Sequence, residues 1–289
     1  MFHPPHPRIS DHRRPLLSTS NPTFNLSTRN PNPNPTSPLN SPTSHRKQFP
    51  KMAANEVYQY SIISALMDGV ATNGIPISRL LDHGTHGLGT FRGMQGEMII
   101  LDSEVYQMKA DGTVVHISRP AETITPFATI TRFEPTTSVK TALGSKADLS
   151  SLLSTHFPGT KNHFLAIRID GSFRKINFRT AGGQITPREG MVSVCARQTE
   201  HTFENVRGTV VGFRCPGYVM GINVAGDHFH FITDDRQRGG HILAFETDGE
   251  VQVGVAVMSR FCLDLPVGDE EFDGAALGLD SKGIEAVEG

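Results

Sequence analysis

Between about residue 87 and Pro266 the chain is cut into short runs of alternating apolar and polar residues, separated by glycine, aspartate and proline. A period of two is what a strand with one buried face requires, because successive side chains on extended backbone point to opposite sides. "EMIILD", "EVYQMK" and "TVVHIS" read as a meander, with "ADG" as one of its turns, and "FATITRFEP" continues it. "HFLAIRIDGSFRKINFRT" reads as two strands joined at Asp170-Gly171. From about residue 190 the pattern is again strand-like as far as "CLDLP". Helical spacing is confined to three short stretches. "SIISALMDGV" carries Ile62, Ile63, Leu66, Met67 and Val70, "ISRLLDHG" closes at Gly84, and "DLSSLLSTHF" opens on the cap-like Asp148. The 28 glycines and 19 prolines agree with a turn-rich chain. The expected class is α+β, with large sheets and a few short helices. No run of about 18 apolar residues is present, so no transmembrane helix is expected.

Residues 1–51 are a different kind of polymer. They hold eleven of the nineteen prolines, with repeated Ser, Thr and Asn, and seven basic residues against the single acid Asp11. Such a composition buries too little apolar surface to offset the entropy of ordering, so a disordered extension is expected, with Met52 as the effective start of the folded protein. The segment has no apolar core of a secretory signal. Its Arg- and Ser-rich character overlaps with a mitochondrial transit peptide, although proline spoils the amphipathic helix such a peptide needs. A cytoplasmic location is the expectation, or a mitochondrial one if residues 1–51 act as a transit peptide.

The formal net charge is −2, and removing the basic extension leaves 20 basic and 28 acidic residues in the body. An acidic body argues against nucleic acid as a partner. The three cysteines, Cys195, Cys215 and Cys262, are too few and too far apart for a disulfide framework or a CxxC knuckle, and read as small buried hydrophobes.

"DHFHFITDDRQRGGH" carries the most chemistry. On a strand His228 and His230 share one face while Phe229 and Phe231 take the other. Asp234, Asp235, Gly239 and Gly240 are turn signals that let the chain reverse and bring His241 back on an adjacent strand. Three neutral imidazoles with an open fourth position match a catalytic zinc site rather than a structural one. Asp227, Asp234 and Asp235 are candidates to orient the rings through their second nitrogens. His83, His86, His116, His156, His163 and His201 have no comparable spacing and read as surface or capping residues.

Taken together, "GLGTFRGMQGE" (87–97), "AIRIDGSFRKINFRT" (166–180) and "GDHFHFITDDRQRGGHILAF" (226–245) resemble, in order and separation, the alpha-acetolactate decarboxylase family over about residues 57–289. The resemblance implies an N-terminal α/β sheet subdomain over 52–180 and a C-terminal β subdomain over 181–289, with mixed and antiparallel sheets, the zinc site in the second and a homodimer as the assembly. It implies Zn2+ on His228, His230 and His241, with Arg168, Glu97 and Glu288 as catalytic residues and Glu285 as the runner-up for the tail glutamate. The implied reaction converts acetolactate, a 2-hydroxy-3-oxo acid, into acetoin and CO2 through a metal-stabilised enediolate, with no membrane or nucleic-acid partner. By themselves Arg168 and Glu97 would pass for solvated strand residues, and Glu288 for part of a frayed tail.

Two other readings fit three histidines on strands. One is a cupin-like metal oxygenase or isomerase, for which the following Glu and distant His are not cleanly present. The other is a non-enzymatic, zinc-stabilised binding module, in which loss of a histidine would unfold the chain.

Overall fold

The computed structural model describes residues 53–278 and 281–288, and the proline-rich extension 1–51 lies outside them. The described chain opens with β1 (Glu56–Tyr60), α1 (Ile63–Met67), β2 (Ile75–Pro76), α2 (Ile77–Leu81) and β3 (His86–Thr90). A meander follows: β4 (Glu97–Leu101), β5 (Glu104–Met108), β6 (Val114–His116), β7 (Ile124–Thr125) and β8 (Ala128–Thr131). Then come β9 (Thr137–Thr141), α3 (Lys146–His156), β10 (Phe164–Thr180), α4 (Met191–Cys195) and β11 (Thr199–Cys215). The chain ends with β12 (Gly226–Thr233), β13 (Gly239–Thr247), β14 (Val251–Met258), β15 (Arg260–Asp264), α5 (Glu270–Asp273) and α6 (Ser281–Glu288).

Among the described residues the strands form a seven-stranded sheet, β15-β1-β8-β3-β4-β5-β6, a six-stranded sheet, β11-β12-β13-β10-β14-β9, and the small pair β2-β7. The first is mixed, since β1 runs parallel to β15 and antiparallel to β8. The second closes on itself: β11 pairs with β12, β12 with β13, β13 with β10, and β10 with β11. Period-two alternation sorts the side chains. Ile167, Ile169, Phe229, Phe231 and Ile242 fill the inside of this closed sheet, which Leu149 and Leu153 of α3 cover. On its outer face Val211 and Ile232 meet Ile99, Leu101 and Met108 of the first sheet. Met98 and Ile100, of opposite parity on β4, pack instead with Ile77 and Leu80 of α2. The expected class, sheet-dominated α+β with few short helices, is what the chain adopts. No helix among the described residues is long and apolar enough to cross a membrane.

Three local expectations are corrected. Asp170-Gly171 is not a turn: β10 runs unbroken for 17 residues. The glycine is there because a Cβ at 171 would lie 2.5 Å from a methyl of Val251 on the neighbouring strand β14. Gly239 and Gly240 are not turn residues either; the reversal is made before them, with Arg236 in left-handed backbone at φ 58 and Asp235 accepting from the Thr233 hydroxyl and the Gln237 N–H. Gly240 sits in β13, where a Cβ would meet the Arg179 carbonyl oxygen at 2.5 Å. Finally, α3 is capped by Ser145, whose hydroxyl accepts from the Asp148 N–H, while the Asp148 carboxylate accepts from Gly144 N–H. Asp148 is thus the reciprocal partner in the cap rather than the cap itself.

Candidate metal centre and active site

His228 and His230 lie two apart on β12, so their rings leave the same, outer face of the closed sheet. The register pairs His230 with His241 on β13 and His241 with Arg179 on β10, which sets three of the site's side chains in one row across three strands. Ring centroids in the triad are 5.0 to 5.5 Å apart, and one ligand atom from each histidine falls within 4.8 Å of the others. All three are buried.

Burial holds each imidazole in its neutral form. The pKa of His230 is lowered to about 4, chiefly by desolvation. Those of His228 and His241 fall well below the ordinary value, by desolvation first and then by the charges of neighbouring groups, Arg179 among them. His230 Nδ1 lies 2.7 Å from the Met98 carbonyl oxygen and must donate to it, which leaves Nε2 with a free lone pair. That Nε2 and the Nε2 of His241 are buried with no hydrogen-bond partner. A buried imidazole nitrogen without a partner is costly unless something binds it, so the residues fit a metal ion on their own chemistry. The orienting group for His230 is a backbone carbonyl, not one of the aspartates expected from the sequence. Asp227 is taken by Arg214, Asp234 by Arg207, and Asp235 by the turn.

Two carboxyls close the site. Glu97, the first residue of β4, approaches His230 Nε2 at 3.7 Å and keeps 17 % side-chain exposure. Glu288, the last residue of α6, lies 3.4 Å from His228 Nε2 and 3.5 Å from His241 Nδ1. Desolvation raises Glu97 to about 7, against the pull of Arg179 and a hydrogen bond from the Ala181 N–H. Desolvation and then the neighbouring Glu97 raise Glu288 to about 8. The tail is therefore a helix, not a frayed end. Ile284 and Val287 anchor it and Glu288 points inward, whereas Glu285 is exposed.

Arg168 is placed elsewhere. Its Nε and Nη1 donate to Asp170 and Asp102, each at 2.8 Å. Across the register, Val211 stands between it and His230. The arginine whose charge acts on Glu97, Glu288 and all three histidines is Arg179, which is buried and bonded to Gln198 at 2.9 Å. Residues 168 and 179 are an odd number apart, so a regular strand would turn them to opposite faces. Arg174 and Lys175 are both exposed, and the β10–β13 register slips there, so Ile176 and Phe178 point inward and Arg179 outward. Nothing in the motif marks that slip. Among the other histidines, His86 departs from the surface reading: it is 2 % exposed, bonded to the Ile167 carbonyl and stacked on Phe133.

The pocket lined by Glu97, His228 and Glu288 continues into an apolar wall that includes Leu66, Met94, Phe127, Met191 and Val194.

The alpha-acetolactate decarboxylase family model matches residues 57–279. The chain is 40% identical over 240 residues to the alpha-acetolactate decarboxylase of Methanosarcina mazei, covering 82% of this chain and 81% of that protein. It is 41% identical over 211 residues to that of Klebsiella aerogenes, covering 73% and 80%. The crystal structure of alpha-acetolactate decarboxylase from Bacillus subtilis strain 168 superposes with a TM-score of 0.76 at 34% identity, over 81% of this chain and 99% of that one.

Proposed function

The chain belongs to the alpha-acetolactate decarboxylase family, and from that premise we propose that it decarboxylates acetolactate to acetoin and CO2 at a zinc ion held by His228, His230 and His241. The observation that carries this reading is the convergence, at one buried point, of three neutral imidazoles, two carboxyls of raised pKa and one arginine. When bound, zinc supplies a Lewis acid for the vicinal hydroxyl and ketone oxygens of such a substrate.

The protein's own groups divide the remaining work. The guanidinium of Arg179 stays charged and offers a planar fork of donors, which suits it to hold the substrate carboxylate in place. We assign to it the part that the resemblance suggested for Arg168. As CO2 leaves, the electron pair of the broken C–C bond passes into the adjacent ketone, and a proton must then be delivered to the former carboxylate-bearing carbon. Glu97 and Glu288, both held in a desolvated site against the three histidines, are placed to take the hydroxyl proton and return one to carbon. The wall of buried side chains around them keeps bulk water from competing as the proton source. We read the working enzyme as a homodimer, as the family resemblance implies, and sedimentation of the metal-loaded protein measures it.

The test is metal analysis with an acetoin assay on the full chain. About one zinc per chain is expected, with acetoin formed in the dark and without oxygen. His230→Ala should remain folded and lose both metal and activity. Stoichiometric zinc in that variant overturns the site; an oxygen requirement favours the oxygenase reading instead.

A further inference from the structure

The chemistry above occupies the polar end of the pocket and leaves the other end without a task. That end is walled by Leu66 from α1, by Met94 and Phe127, and by Met191 and Val194 from α4. Leu66, Met94, Phe127 and Val194 are buried in a single apolar cluster, with Met191 packed against it. On the short helix α4, positions 191 and 194 fall on one face, while Val192 turns away and is 52% exposed. The Cys195 thiol on the same wall is pushed up to about 12, first by burial and then by Glu97 and Glu288, so it too presents a neutral surface.

We propose that this apolar end receives the alkyl substituents of the substrate and that Val194 and Met191 set the largest substituent the enzyme accepts. The inference rests on the decarboxylase reading and deepens it. In a 2-hydroxy-3-oxo acid the carboxylate, hydroxyl and ketone all have polar partners in the site, and only the groups on the carbinol and ketone carbons do not. An alkyl group placed toward Glu97, Arg179 or Glu288 would strip water from charged or polar atoms and return nothing. Toward α4 it meets methyl and thioether surface. The gauge is steric: the Val194 side chain carries no hydrogen-bonding group and that of Met191 only a weak thioether acceptor, so trimming either alters volume without stranding a polar group. Ala181, two residues beyond Arg179, also lines the pocket and presents only a methyl to it.

The experiment compares kcat/KM for acetolactate with kcat/KM for the homologue bearing ethyl in place of methyl on the carbinol carbon, using the zinc-loaded full chain. Room for one methylene is worth about fourfold in rate. Val194→Ala should raise the ethyl-to-methyl ratio by about that factor or more, and Val194→Ile should lower it. Met191→Ala, at a less buried position, should raise the ratio as well and serves if Val194→Ala is unstable. A ratio within about twofold of the parent in both truncated variants, with zinc content and melting temperature preserved, overturns the proposal. Wild-type protein that binds zinc yet turns over neither acid is a different result: it removes the decarboxylase reading on which the proposal rests.

Discussion

Arg168 and Arg179 share one motif and one side of the same strand, and only their partners tell them apart. Arg168 is engaged by Asp102 and Asp170 at the surface, an arrangement whose loss costs little because both carboxylates remain hydrated. Arg179 is 5 % exposed and faces the histidines and both site carboxyls. Replacing it by lysine keeps the charge and loses the fork. Arg179→Lys is expected to lower kcat/KM by about two orders of magnitude with zinc retained, the scale of one preorganised donor. Arg168→Lys should leave kcat/KM within about threefold and shift the melting temperature only slightly. Steady-state kinetics and metal content on the two variants check this, and a larger loss in Arg168→Lys than in Arg179→Lys would reverse the assignment.

The elements that carry the site are held by close backbone approach and by one terminal helix. β13 reaches β10 at Gly240 with no room for a side chain: an added Cβ lies 2.5 Å from both the Arg179 carbonyl oxygen and the Phe178 ring. Gly240→Ala must push β13 away from β10 and so move His241 relative to Arg179. A destabilisation of about 2 kcal/mol or more is expected, with weaker metal retention, measured by denaturant unfolding and by metal content after dialysis. α6 brings its own glutamate and is anchored by Ile284 and Val287. A terminal helix held by two buried aliphatic side chains and the seating of one glutamate is the element of the site most easily lost. Deletion of Ser281 to Gly289 should leave a folded protein that retains zinc and loses most decarboxylation. Full activity after deletion would take Glu288 out of the reaction and leave proton transfer to Glu97.

At the scale of the whole molecule, the two sheets meet over a surface that buries a histidine outside the triad, His86. His86 on β3 donates to the Ile167 carbonyl on β10, and its Nδ1 has no partner. Its pKa is lowered to about 3, first by desolvation and then by Arg168, against the opposing pull of Asp102 and Asp170. The folded-state value lies below the ordinary one, so the unfolded chain binds the proton first as pH falls. The linkage therefore removes stability below about pH 6.5, at about 1.4 kcal/mol per pH unit, until the folded protein also protonates near pH 3. Comparing unfolding free energies of wild type and His86→Gln from pH 7 to pH 4 isolates this group, since the metal site is common to both. The variant should be the less stable at pH 7 and should lose less on acidification. Parallel curves would show that His86 does not govern the junction of the sheets.

Local chemistry was written in the chain order. Period two produced the strands, a 3.6-residue spacing the short helices, and the His-x-His alternation put two imidazoles on one face because an extended chain allows nothing else. His241 was within reach for the same reason, one reversal away. Glu97 and Glu288 came only through three motifs acting as a family signature, since a lone glutamate at a strand start or in a tail carries no local mark. What the tertiary structure alone decided is how distant strands align. The closed sheet sets His230, His241 and Arg179 in one row, the slip at Arg174 and Lys175 turns Arg179 outward, and a glycine pair that reads as a turn serves as a contact between strands. Each depends on register and strand separation, which arise from packing between segments tens of residues apart and leave no trace in the spacing of any one of them.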